Sequence, residues 1–267
     1  MMRSANPTLK ASTFEQYGSV EQSTAMTISG TVNKTFLLLL FLVATASYAW
    51  NLTGDWRDAL AAEREGTAVS SSAAGGVEPV VLIVGGMIAG LIFALATMFK
   101  PTWAPVTAPL YALSEGVFLG AISALADLMY PGVAFQAACL TFCTLGGLLA
   151  AYKSGLIRAT ENFKLGVTAA TMGICMIYLV SMVVNMVGGA GTMPYIHGGS
   201  WVSIGFSLFV VVIASLNLVL DFDFIEQGAE KRAPKYMEWY GAFGLMVTLI
   251  WLYIEILHLL MKLNSRR

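Results

Sequence analysis

The chain has 267 residues, 57% of them hydrophobic and only 12% charged, with a formal net charge of -1. A soluble domain carries about 25% charged residues, so the composition excludes an ordinary soluble protein and points to a polytopic membrane protein. No Lys/Arg-rich patch invites nucleic acid, and three scattered cysteines are too few for a disulfide framework.

Residues 1–32 are polar and rich in Ser and Thr, with no apolar stretch close to Met1. They read as a tail, not as a cleavable signal peptide. Beyond the tail, runs of about 20 apolar residues, the length that crosses a bilayer, occur at 33–50, 79–99, 103–129, 133–152, 164–188, 200–222 and 239–262. These seven spans form one membrane domain over 33–263, and 264–267 form a short C-terminal end. Lys100 and Pro101 alone separate the second span from the third, which forces an antiparallel pair. The loop at 51–78 has room for a short surface helix in NLTGDWRDALAAEREG, followed by a flexible SSSAAGG linker. Gly86 with Gly90 and Gly116 with Gly120 stand four apart and supply close-packing faces between helices. Cys139, Cys143 and Cys175 read as small apolar packing residues.

Orientation follows from the Lys/Arg bias between the two sides. The side of the N-terminus carries Arg3, Lys10, Lys34, Lys100, Lys153, Arg158, Lys164, Lys231, Arg232 and Lys235. The other side carries Arg57, Arg64, Lys262, Arg266 and Arg267. The N-terminus is therefore expected in the cytoplasm, with the protein integral to the cell (inner) membrane.

Ionisable groups at bilayer depth are costly, so they usually line an ion, proton or substrate path. Glu115 sits near the middle of the third span, beside Ser114. Asp127 ends that span and reads as an interface residue. Asn217 and Asp221 are four apart and share a helix face. Asp223 points about 200° away from Asp221, so one aspartate faces inward and the other the rim, with Glu226. On the last span Glu255 and His258 are three apart, a proton-responsive pair of carboxylate and imidazole. The alternative is a structural hydrogen-bond knot between helices. Enzyme chemistry finds no HExxH or GxSxG, and the other histidine, His197, falls in a Gly-rich turn. The chain is thus expected not to be an enzyme and to hold no cofactor. Paired carboxylates suit a hard cation such as calcium, passing as a transported species.

At this point the residues resemble a known family. The segments MRSANPTLK, AMTISGTVNKTFLLLL, LYALSEGVFLGAIS, LNLVLDFDFIEQG and TLIWLYIEILHLL are similar to those of a bacterial member of the Bax inhibitor-1 family, and the likeness runs over essentially the whole chain. It implies an all-α fold of seven transmembrane helices with a central C-terminal helix. It also implies a pH-sensitive calcium leak gated by two aspartates, one on each of the last two spans. The first falls on Asp221 or Asp223, with Asp221 preferred because its face also carries Asn217. The second falls on Glu255 in LYIE, a departure that adds a methylene. Some relatives act instead through partners, as modulators of membrane proteolysis or of cell-death proteins, which implies the lipid bilayer and a membrane protease as partners.

The last hairpin sets a geometric condition on that pair. With a turn near Ala233-Pro234, Asp221 lies 12 residues from the turn and Glu255 22. Straight helices would then offset them by about 15 Å. They meet only if part of 227–240 lies outside the span, for example with MEWY along the interface.

Overall fold

The structure is a computed structural model and describes residues 25–64, 77–188 and 200–266. The tail before Ala25, the SSSAAGG linker and the turn with His197 lie outside these residues. The protein is all-α, and among the described residues it has no strand beyond one isolated bridge. Its helices are α1 (Ile28–Leu52), α2 (Gly54–Arg64), α3 (Pro79–Phe99), α4 (Ala104–Met129), α5 (Val133–Lys153), α6 (Glu161–Gly188), α7 (Trp201–Glu230) and α8 (Met237–Asn264). All except α2 are long and apolar enough to cross a membrane, α4 together with the short 3₁₀ turn Pro101–Trp103 that leads into it.

The boundaries have local causes. Proline at the start of α3 uses a position whose N–H would have no helical partner. After α4, the Asp127 carboxylate accepts the Gly132 N–H at 2.8 Å, so this acid closes a turn at the helix end. Gly132 has φ 84, a conformation that suits glycine. The surface helix expected within 51–66 forms as α2, where the Arg57 guanidinium lies 4.5 Å from the Trp50 ring.

The sixth span runs further than its apolar segment suggests. α7 has 30 residues, or ~45 Å at 1.5 Å per residue, against a hydrocarbon core of ~30 Å. Its last two turns carry Asp223 and Glu226, so these acids are helical and not in a loop. α8 is the most enclosed span: 61% of its apolar window is buried, against 17% for α1 and for α3.

The chain divides into two compact units. One contains Ser29–Ala134 and Tyr236–Met246, and here helices meet through glycine. A side chain at Gly86 would stand 2.8 Å from the Phe118 nitrogen and 2.9 Å from the Ser114 carbonyl of α4. A side chain at Gly120 would overlap the Ala46 backbone of α1, and one at Gly116 the Leu42 carbonyl. Both small-residue pairs are therefore faces within the chain. Thr97 donates to Thr107 at 2.6 Å across α3 and α4, and Thr107 donates on to the Trp103 carbonyl at 3.0 Å. The edge of Tyr111 meets Phe243 at 4.9 Å between centroids.

The other unit contains Phe135–Lys235 and Val247–Arg267 with the segment ending at Ile28. Its apolar packing joins Ile174 to Val210 and Ile213, and Val167 to Leu220. Met26 N–H donates to the Ala233 carbonyl at 2.7 Å, beside a bridge from Ala25 to Pro234. The three cysteines do not pack inside: all are free and exposed, on faces that lipid would cover.

Candidate functional site

Within this second unit, α7 buries a continuous stripe of Ser203, Ser207, Val210, Ala214, Asn217, Asp221, Ile225 and Gly228. Steps of three and four residues keep these positions on one helix face. Four of the eight are polar, which is why average hydropathy hides the stripe. Asn217 donates to Thr171 Oγ1 on α6 at 2.8 Å and to the Ile213 carbonyl at 2.9 Å. Asp221, one turn on, is fully buried.

Asp223 diverges from Asp221 as helical phase requires. Its carboxylate meets Lys164 Nζ at 2.8 Å and accepts from Gln227 on its own helix. Lys164 also lies 3.5 Å from Glu161. Glu226 is exposed and accepts from the Tyr152 hydroxyl of α5. Asp223 and Glu226 thus belong to a charged rim, and Glu226 is not an interior group. Lys164, counted above among the cations of the N-terminal side, is buried in the first turns of α6.

On α8, Glu255 is 4% exposed. Its Oε1 accepts from the Tyr178 hydroxyl at 2.8 Å and from Trp251 Nε1 at 3.2 Å. Lys262, seven residues on and on the same face, donates to Ser207 at 2.7 Å. His258 is exposed, which corrects its placement in the polar interior. A residue three positions from Glu255 sits about 60° round the helix, enough to leave the buried face.

The condition set for pairing Asp221 with Glu255, MEWY outside the span, is not met. Met237, Glu238, Trp239 and Tyr240 form the first turn of α8, and Met237, Glu238 and Tyr240 are buried. The cause is an ion pair in the first unit: Lys34 Nζ of α1 meets Glu238 at 2.5 Å, and the Glu238 side chain is wholly enclosed. Lys34 also stands 5.5 Å from the Trp239 ring, and Gly30 leaves the space that the Glu238 carboxyl fills. Asp221 is nine residues from the end of α7, and Glu255 eighteen from the start of α8. Ideal straight helices keep an axial offset of about 13 Å at those counts. Among the described residues, the hydrogen bonds to Glu255 come from Tyr178 and Trp251, and Asp221 is not a partner.

Glu115 belongs to the first unit, half-buried near the middle of α4. Its carboxyl lies over Gly90 of α3, where any side chain would overlap it. Ser114 turns away and donates to the Leu110 carbonyl of its own helix. Among the described residues, no group of three or more His, Cys, Asp or Glu is arranged to hold a metal ion.

Sequence reasoning missed the partners Tyr178, Lys164, Lys34, Thr171 and Tyr152. Tyr178 carried a signal, since a tyrosine hydroxyl inside an apolar span needs an acceptor. Lys164 and Lys34 carried none, because lysines near span ends normally reach the interface.

The profile of a family described as Bax inhibitor 1 like matches residues 6–265. The chain belongs to that family. No match is found among curated proteins or among solved structures. For this Bax inhibitor 1 like protein, the matched range takes in all seven apolar helices. The roles of Asp221 and Glu255 rest on their own surroundings.

Proposed function

We propose that this protein is a pH-sensitive cation leak of the membrane, with calcium as the conducted ion and Asp221 and Glu255 as its titrating gate. The observation that carries the reading is that two acids in apolar spans of one compact unit are 0% and 4% exposed. Burying a carboxyl at bilayer depth is costly, so acids kept there usually mark a path. Both lie on the faces that their helices bury. Tyr178 and Lys262 are the titratable groups that act on Glu255 among the described residues. In the mechanism, protonation of either carboxyl removes its charge from the buried helix faces and shifts a closed–open balance. Asp223 and Glu226, with Lys164, form the cytoplasmic mouth.

The orientation, with the N-terminus in the cytoplasm and the protein in the inner membrane, is part of the same reading. Pairing of Lys34 and Lys164 within helices removes them from one side of the cation count. Lys262 leaves the other side, so the bias keeps its direction.

Calcium flux into proteoliposomes from pH 6 to 8 tests the reading. Wild-type flux is expected to vary with pH, and both Glu255→Gln and Asp221→Asn to flatten that response. Flux indifferent to both substitutions would sink it.

One observation favours a second reading, a non-transporting protein that regulates a membrane protease or stress response. The end of the polar tail is tied to the loop before α8 through Met26 and Ala233, so a partner held by the tail would act on that loop. A stable partner lost on deleting residues 1–24, together with no ion flux, would support it.

A further inference from the structure

Both hydrogen bonds to Glu255 fall on the same oxygen. Tyr178 and Trp251 donate to Oε1, at 2.8 and 3.2 Å. A carboxylate oxygen accepts about two such bonds, so Oε1 is filled. Each donor is itself packed in place. The Tyr178 ring meets Phe206 of α7 at 6.2 Å and 84°, edge to face. Tyr178, Phe206 and Trp251 all pack on the cluster of Ile174, Val210 and Ile213. Trp251 is also on α8, one turn before Glu255, so its indole N–H follows the carboxyl if the helix moves.

We propose that Tyr178 and Trp251 are positioning residues that occupy Oε1 of Glu255, so that only Oε2 meets the passing cation. This rests on the leak reading above. Carboxylates bind calcium through one oxygen or two. A carboxyl with one oxygen already filled offers a single, weaker contact, which suits an ion that must leave again. Freed from its clamp, the same carboxyl grips with both oxygens and retains the ion. The clamp also gives the glutamate a purpose: an aspartate here would draw the carboxyl back by about 1.5 Å, one carbon–carbon bond, beyond the reach of both donors.

The test uses the full chain in proteoliposomes and follows calcium flux against calcium concentration. Tyr178→Phe keeps the ring that packs on Phe206 and removes only the hydroxyl. It is expected to lower the half-saturating calcium concentration at least about ten-fold, the worth of one hydrogen bond to a charged group, and to lower the maximal flux as well. A merely structural loss would reduce maximal flux without that split. Trp251→Phe and Glu255→Asp are expected to behave alike. The infrared carboxyl band that disappears in Glu255→Gln should also shift in Tyr178→Phe, a signature independent of flux. An unshifted band, or an unchanged half-saturating concentration while Glu255→Gln still alters flux, overturns the clamp and leaves the leak reading standing. Flux that Glu255→Gln does not alter overturns the clamp, and flux that Asp221→Asn leaves unaltered as well overturns both.

Discussion

The two compact units join their helices by different chemistry. In the unit of Ser29–Ala134 and Tyr236–Met246, backbones approach at Gly86, Gly116 and Gly120, and the Glu115 carboxyl fills the space over Gly90. Its one described ion pair, Lys34–Glu238, lies at the start of α8. In the unit of Phe135–Lys235 and Val247–Arg267, side chains do the joining: Asn217 with Thr171, Lys164 with Asp223, Tyr178 with Glu255, and Lys262 with Ser207. Gly146, Gly166, Gly173 and Gly205 of that unit face open space. Lipid gives helices no hydrophobic reason to associate, so close backbone packing and polar contacts are what remain. A glycine seam is rigid and chemically silent. A polar seam can exchange protons or ions, and the candidate site lies in the unit built that way.

The sharpest way to break the contrast is the described ion pair of the glycine-packed unit. Lys34→Met leaves the wholly enclosed Glu238 carboxylate without its cation. Removing one partner of a buried pair costs about 3–5 kcal/mol, the largest effect expected here. Adding Glu238→Leu in the same chain should recover most of the loss, because no charge is then stranded. Thermal unfolding in detergent reads both. A double variant as unstable as the single one would show that the pair is needed for its shape and not for charge balance.

Next comes Gly120→Ala, which places a methyl group in the Ala46 backbone. Neither helix can yield cheaply, and overpacking of this kind costs about 1–3 kcal/mol. Gly173→Ala is the matched control in the other unit, where the added carbon meets nothing, and it should change stability little. Equal losses at the two sites would erase the distinction between the seams. The polar seam has its own probe in Asn217→Ala. Interhelical hydrogen bonds in membranes are worth about 0.6–1.7 kcal/mol, so the loss should be smaller than at Gly120.

The same contrast explains what was legible in the sequence. Span number, the tight turn after Phe99 and the glycine faces follow from composition and spacing alone, because bilayer thickness and helix pitch fix them. The divergence of Asp221 and Asp223 was legible for the same reason. Partner identity was not. Lys34 and Lys164 sit where lysines commonly reach for headgroups, and only tertiary packing turns them toward Glu238 and Asp223. MEWY misled in the same way: its aromatics suit an interface, but the Glu238 ion pair draws the segment into α8. His258 shares a helix with Glu255 without sharing its surroundings, which spacing could not separate.

The smallest effect concerns the loop between the last two spans. The end of α7 closes with Arg232 N–H on the Ala229 carbonyl at 3.2 Å and Ala233 N–H on the Gly228 carbonyl at 3.0 Å. That pattern places residue 232 in the left-handed region, where Arg232 has φ 51 and where glycine is usual. A side chain there costs about 1–2 kcal/mol, and glycine returns about 0.5–1 kcal/mol of that through its freer unfolded chain. Arg232→Gly should therefore stabilise by a few tenths to about 1 kcal/mol, read as a small rise in unfolding temperature. Arg232→Ala keeps the strain and should gain nothing. If alanine stabilised as much as glycine, the benefit would come from removing a cation, and the loop's backbone would not be the cause. If neither did, the contact of Met26 with the Ala233 carbonyl would be holding the loop strongly enough to mask the strain.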